Sequence, residues 1–192
     1  MSHTEIVIIA DRSGSMSDII PESVNSINRL IEEQKKVEGK AKFTLAIFDD
    51  LYEQVYSRVS IDKVEPLTEK KYFARGMTAL YDAIGETVDY IERKIAKEEK
   101  RPDNIIVNII TDGLENASQK YTQRMVSDII KRQQDVYGWE FIFIGANIDA
   151  YAEGQALNIR PDKTYQFEAN DEEVNYLYDR MSHSISEMRK AK

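Results

Sequence analysis

Ile6-Val7-Ile8-Ile9-Ala10-Asp11-Arg12-Ser13-Gly14-Ser15 is the stretch on which the reading of this chain turns. Its unbroken apolar run, rich in β-branched residues, reads as a strand buried on both faces, the form parallel strands take when helices cover them. Just past such a strand alternate side chains point the same way, so Asp11, Ser13 and Ser15 converge on one point. A carboxylate and two hydroxyls are hard oxygen donors, suited to Mg²⁺ or a similar cation and not to zinc or copper. Two further pieces lie far away in sequence: Gly76-Met77-Thr78-Ala79-Leu80, and Thr111-Asp112-Gly113 directly after the apolar run Ile105 to Ile110.

Working outward, segments 5–10, 104–110 and 140–144 read as buried strands, and amphipathic helices separate them. Val24, Ile27 and Ile31 mark one helix, and Leu80, Ile84, Val88, Ile91 and Ile95 a longer one with spacings of three and four. Tyr121, Met125, Ile129 and Ile130 predict a third. Phe43, Leu45 and Ile47 alternate, as do Leu51, Val55 and Val59, with Asp49-Asp50 between them, which predicts a hairpin and one antiparallel strand. A short helix over 149–157, a strand over 164–167 and a C-terminal helix capped by Asn170, with Val174, Leu177, Tyr178, Met181 and Ile185 on one face, complete the chain. The order β-α-β-β-α-β-α-β-α-β-α predicts a Rossmann-like, doubly wound, mostly parallel α/β sheet of about six strands with one antiparallel edge strand and helices on both faces. No linker or repeat interrupts residues 1–192, so one domain is expected.

Ligands of such a sheet bind where loops leave the carboxyl ends of the strands. Asp11 and Asp112 both follow strands, and Thr78 opens a helix, so topology alone would bring three distant loops together. The D-x-S-x-S of Asp11, Ser13 and Ser15, the lone Thr78 and the T-D-G of Asp112 resemble the metal-ion-dependent adhesion site (MIDAS) of von Willebrand factor type A domains. The resemblance runs from Ile6 to the last helix and to the standalone bacterial or phage type. It implies that Ser13, Ser15 and Thr78 would be metal ligands, with Asp11 and Asp112 binding directly or through water. It further implies a protein partner whose Asp or Glu completes the coordination of Mg²⁺, with Mn²⁺ or Ca²⁺ as alternatives. Met77 departs from the pattern, standing where such domains often carry a second glycine.

The formal charge of −8 and a pI near 5.0 argue against nucleic acid or an anionic membrane as the main partner. The sequence has no cysteine, which removes thiol nucleophiles and thiolate metal sites. No start resembling a secretory signal and no apolar run near the ~20 residues of a spanning helix are present, so a cytoplasmic location is expected.

Simpler readings of each piece exist: Asp11 to Ser15 as a plain strand-to-helix turn, and Thr78 as a helix cap. An EF-hand loop starting at Asp11 fails, because Met16 occupies the position that needs glycine and Pro21 sits inside it. The competing function is Mg²⁺-dependent phosphoryl transfer with Asp11 as nucleophile, but the second Asp usual two residues on is Ser13. His3 and His183, the only histidines, lie away from the strand ends. A third reading keeps the metal as a stabiliser of assembly. Asp49, Asp50, Glu115, Asn116, Asn147 and Asp149 are expected to be mostly solvated loop residues. The sequence is thus read as a metal-dependent binding and scaffold module without enzymatic activity.

Overall fold

In the computed structural model, which describes residues 2–191, strand β1 (His3–Asp11) is the centre of the molecule. Ile6, Ile8 and Ala10 enter one core and Val7 and Ile9 another, and all five are wholly buried. A strand with both faces in a core needs helices above and below it. These are α1 (Ile20–Lys35) and α5 (Asp171–Lys190) on one side, and α2 (Leu80–Ile95), α3 (Gln123–Tyr137) and α4 (Ala150–Ala156) on the other. The remaining strands are β2 (Lys40–Phe48), β3 (Tyr52–Ser60), β4 (Asn104–Thr111), β5 (Glu140–Ala146) and β6 (Thr164–Phe167).

The six strands are ordered β3-β2-β1-β4-β5-β6. Only β3 runs antiparallel, paired with β2 through the predicted hairpin. The chain winds outward from β1 to β2 and β3, then crosses back to β4 and winds the other way. The carboxyl ends of β1 and β4 are therefore a switch point, where successive loops diverge and leave a crevice. The register places Ala10 beside Ile110, so Asp11 and Thr111 end their strands side by side.

Helix α2 shows how the sequence pattern does this. Ile84, Val88 and Ile91, spaced four and three apart, are all wholly buried, and each such side chain stabilises the fold by about 1.5–3 kcal/mol relative to exposure. Helix α5 starts where Asn170 Oδ1 accepts the Glu173 N–H at 3.0 Å, the expected cap. Two expectations shift. Helix α3 begins at Gln123 under a Thr122 cap, leaving Tyr121 outside it and Met125 46% exposed. Of the predicted face, Ile130 is wholly buried and Ile129 packs against the core, and Val126 and Gln133 complete it. Leu51 lies in the β2–β3 turn, 57% exposed, and only Val55 and Val59 of its series pack against the core. No helix among the described residues is long and apolar enough to cross a membrane.

Candidate metal centre

Strand β1 delivers Asp11 to the crevice wholly buried, with each oxygen engaged. Oδ1 accepts the Ser13 N–H at 2.6 Å and Oδ2 the Thr111 hydroxyl at 2.7 Å. The chain then turns through one stretch of 3-10 helix (Gly14–Asp18), begun by Met16 N–H donating to the Ser13 carbonyl at 3.0 Å. Met16 is itself buried in the core and anchors this turn. Ser13 and Ser15 consequently face the same side, their hydroxyl oxygens 3.1 Å apart. The Ser15 hydroxyl donates to Asp112 Oδ1 at 2.7 Å, linking the loop after β1 to the loop after β4.

Thr78 arrives from a third direction, on the loop that opens α2. Its N–H donates to Asn116 Oδ1 at 2.9 Å, and Asn116 N–H returns a bond to the Thr78 carbonyl at 3.0 Å. A β-carbon placed on Gly113 would stand 3.2 Å from Thr78 Oγ1 and 4.0 Å from Ser15 Oγ. The glycine hydrogen thus faces a hollow edged by both hydroxyls, and a side chain there would begin to fill it. Hydrogen bonds link Asp11, Ser13, Ser15 and Asp112, with Thr78 Oγ1 nearby across Gly113; Ser15 is exposed and the other four are buried.

The electrostatics of this crevice are one-sided. Burial pushes the Asp11 carboxyl up to about 6, against the pull of the Thr111 and Ser13 hydrogen bonds, and the Asp112 charge adds to the rise. Burial also raises Asp112, opposed by the Ser15 hydroxyl. Among the described residues, none of the hydrogen bonds to these five groups comes from Lys, Arg or His. Two carboxylates and three hydroxyls make the candidate set all-oxygen, and hard divalent ions match such donors. Among the described residues no group of three or more His, Asp or Glu side chains gathers as a metal cluster would. In this crevice hydroxyls and water would have to supply the other positions.

Several supporting residues escaped the sequence reading. The Thr111 hydroxyl, beside the candidate ligands, fixes the Asp11 carboxylate. Tyr72, wholly buried, donates its hydroxyl to the Asp11 carbonyl at 2.7 Å. Asp49 was expected in solvent and is wholly buried, paired with Arg12 and Arg75. Glu115 is no free loop acid either, since it accepts the N–H groups of Tyr81, Ala117 and Ser118. Asp50, Asn116, Asn147 and Asp149 are exposed as expected, with Asp149 capping α4 through the Ala152 N–H and Asn147 accepting the Ala169 N–H. Met77, the departure from pattern, is 55% exposed, while Gly76 takes the left-handed backbone at φ +68 that the turn requires.

No protein-family model matches the sequence, and no curated protein is similar to it in sequence. Solved structures do resemble it. Proximal thread matrix protein 1 from the mussel byssus, with a zinc-occupied MIDAS motif, matches 96% of this chain and 46% of its own at 15% identity and TM-score 0.70. A von Willebrand factor type A structure from Catenulispora acidiphila matches 94% of this chain and 42% of its own, at 15% identity and TM-score 0.70. The vWF domain of the type V pili tip protein from Porphyromonas gingivalis matches 98% of this chain and 96% of its own, at 10% identity and TM-score 0.72.

The fold is von Willebrand factor A-like. This chain spans less than half the length of the mussel protein. The matches also overturn the cytoplasmic location expected from sequence, because byssal threads and pili lie outside the cell. An acidic, cysteine-free α/β chain carries nothing in its composition that ties the fold to one compartment.

Proposed function

We propose that this chain is a metal-dependent protein-binding module, of adhesion or scaffold type, without catalytic activity. Ser13, Ser15 and Thr78 would ligate a hard divalent cation, Mg²⁺ first and Mn²⁺ or Ca²⁺ as alternatives, with Asp11 and Asp112 direct or water-mediated. The bound ion would supply one electrophilic position open to a partner's Asp or Glu. The observation that carries this reading is the linked series from Thr111 and Asp11 through the Ser13 N–H and the Ser13 and Ser15 hydroxyls to Asp112, with no cationic side chain bonded to it among the described residues. Where Asp11 and Asp112 bind through water, the three neutral hydroxyls leave the ion's charge to attract an outside carboxylate.

The non-enzymatic half of the proposal rests on Ser13, which stands where the aspartyl-nucleophile phosphotransferases usually carry a second Asp. The test begins with titration calorimetry and thermal shift on metal-stripped protein against Mg²⁺, Mn²⁺, Ca²⁺ and Zn²⁺, the last because the mussel protein's motif holds zinc. Binding of one ion, lost in Asp112→Ala, is the expected result. No heat and no shift at millimolar concentrations of all four ions would reject the reading. Turnover of a phosphate ester that vanishes in Asp11→Asn would reject its non-enzymatic part.

A further inference from the structure

Beside the crevice lies an ionic group whose side chains hydrogen-bond to none of the candidate ligands' side chains. Asp49 Oδ2 accepts Arg12 Nε at 3.0 Å and Arg75 Nε at 2.5 Å, and its Oδ1 accepts the Leu51 N–H at 2.6 Å. The Asp49 carbonyl accepts the Ala79 N–H at 2.9 Å. Arg12 is 1% exposed and Asp49 0%. Arg12 Nη1 also reaches Glu53 at 3.0 Å, and Arg12 and Arg75 each stand 5.7 Å from the Phe73 ring. Burying such charges costs desolvation that an apolar pair would avoid, so stability alone is a poor account of this arrangement.

Its placement suggests another account. Arg12 sits between Asp11 and Ser13, while Arg75 and Ala79 bracket the short loop that carries Thr78. Backbone bonds stitch the same two segments together: Arg75 N–H to the Arg12 carbonyl at 2.8 Å and Gly14 N–H to the Gly76 carbonyl at 3.2 Å. The approach is so close that a β-carbon on Gly76 would collide with Asp50 Oδ1 and lie 3.1 Å from Asp49 Cβ. Asp49 is the point at which the turn after β2, the loop after β1 and the loop before α2 meet.

We propose that Asp49 is a positioning residue: through Arg12 and Arg75 it sets where Thr78 stands relative to Asp11, Ser13 and Ser15. It contributes no ligand and acts by holding two ligand loops in register. The consequence for metal binding rests on the function proposed above, whereas the consequence for loop order does not. Groups that orient metal ligands from outside commonly change affinity by about 10–100-fold when removed.

The test uses Asp49→Asn, Thr78→Ala and the double variant. In Asp49→Asn, Mg²⁺ affinity by calorimetry should fall by up to about tenfold, no further than in Thr78→Ala, yet the same substitution in the Thr78→Ala background should change it less than about twofold, because Asp49 acts through Thr78. Amide hydrogen exchange without metal should quicken across 73–79 in Asp49→Asn and stay unchanged in helices α3 and α5. Arg75→Met supplies a second variant that leaves the Arg12–Asp49 pair in place, so that folding is not at issue, and the same pattern with a smaller amplitude is expected. Unchanged exchange at 73–79 in both variants would overturn the proposal, and so would an equal loss of affinity in both backgrounds. If wild type binds no divalent ion while exchange quickens as stated, the metal-binding reading fails and the positioning of the loop stands.

Discussion

Replacing Asp11 by Asn should stabilise the metal-free protein, although it removes a residue at the centre of the candidate site. Burial raises the Asp11 carboxyl from 3.8 to about 6. An acid whose pKa is raised by folding binds its proton more tightly in the folded state. The penalty for keeping it ionised is therefore present above pH 6 and fades as pH falls from 6 towards 4. At pH 7 it amounts to about 3 kcal/mol, at 1.36 kcal/mol per unit. Asn fits the same place: its oxygen can accept the Ser13 N–H, and its amide can donate to Thr111 Oγ1. The Thr111 hydroxyl then turns to the Gly113 carbonyl, already 3.1 Å away. In EDTA at pH 7 the variant should melt roughly 6–12 °C above wild type, given about 2–4 °C per kcal/mol at this size. The advantage should shrink to about half by pH 5 and below about 1 kcal/mol by pH 4. Saturating Mg²⁺ should raise only the wild type. Scanning calorimetry at pH 4, 5 and 7, with and without metal, reads all of this. A variant less stable than wild type at pH 7 in EDTA would refute the reasoning, as would an advantage independent of pH.

Other outcomes follow from the same geometry. Asp112→Ala should abolish metal-dependent capture of a partner while circular dichroism and melting in EDTA remain close to wild type, since the side chain's hydrogen bond is to the exposed Ser15. Thr78→Ala should weaken Mg²⁺ binding by no more than about tenfold, or 1.4 kcal/mol, because both acidic groups remain; partner binding should fall further, as read by pull-down with Mg²⁺ or EDTA. Tyr72→Phe should destabilise by about 1–3 kcal/mol through the unpaired Asp11 carbonyl it leaves buried; urea melts measure this, and Mg²⁺ affinity should change little.

The fold was open to sequence reasoning because its signals are local. β1, β4 and β5 are short apolar runs, and α2 repeats at three and four, so element order and strand direction followed from pattern and from the handedness of crossovers. The places where reading failed need information that pattern does not hold. Leu51 belongs in phase to the β3 series, but the turn that joins β2 to β3 takes it out of the strand and into solvent. Tyr121 and Met125 share a helical spacing with Ile129, yet the Thr122 cap sets the start of α3 and turns Val126 and Ile130 inward. Periodicity fixes a face only once the first residue is known.

The site divides along the same line. Asp11, Ser13 and Ser15 lie within one short motif, and strand ends place Asp112 near them, so their meeting could be argued from topology. Asp49 could not. An aspartate in a turn after a strand is most simply a solvated residue, and only the fold shows that two loops close over it, one with Arg12 and the other with Arg75 and Ala79. Its burial is bought by two guanidinium groups that come from different loops, one of them from within the D-x-S-x-S itself. The residue between two candidate ligands, written x because any side chain may stand there, is here the one that ties the ligand loop to the rest of the edge. What a motif leaves unspecified can still decide the geometry of the residues it names, and in this chain that geometry depends on contacts 26 to 37 positions apart in sequence.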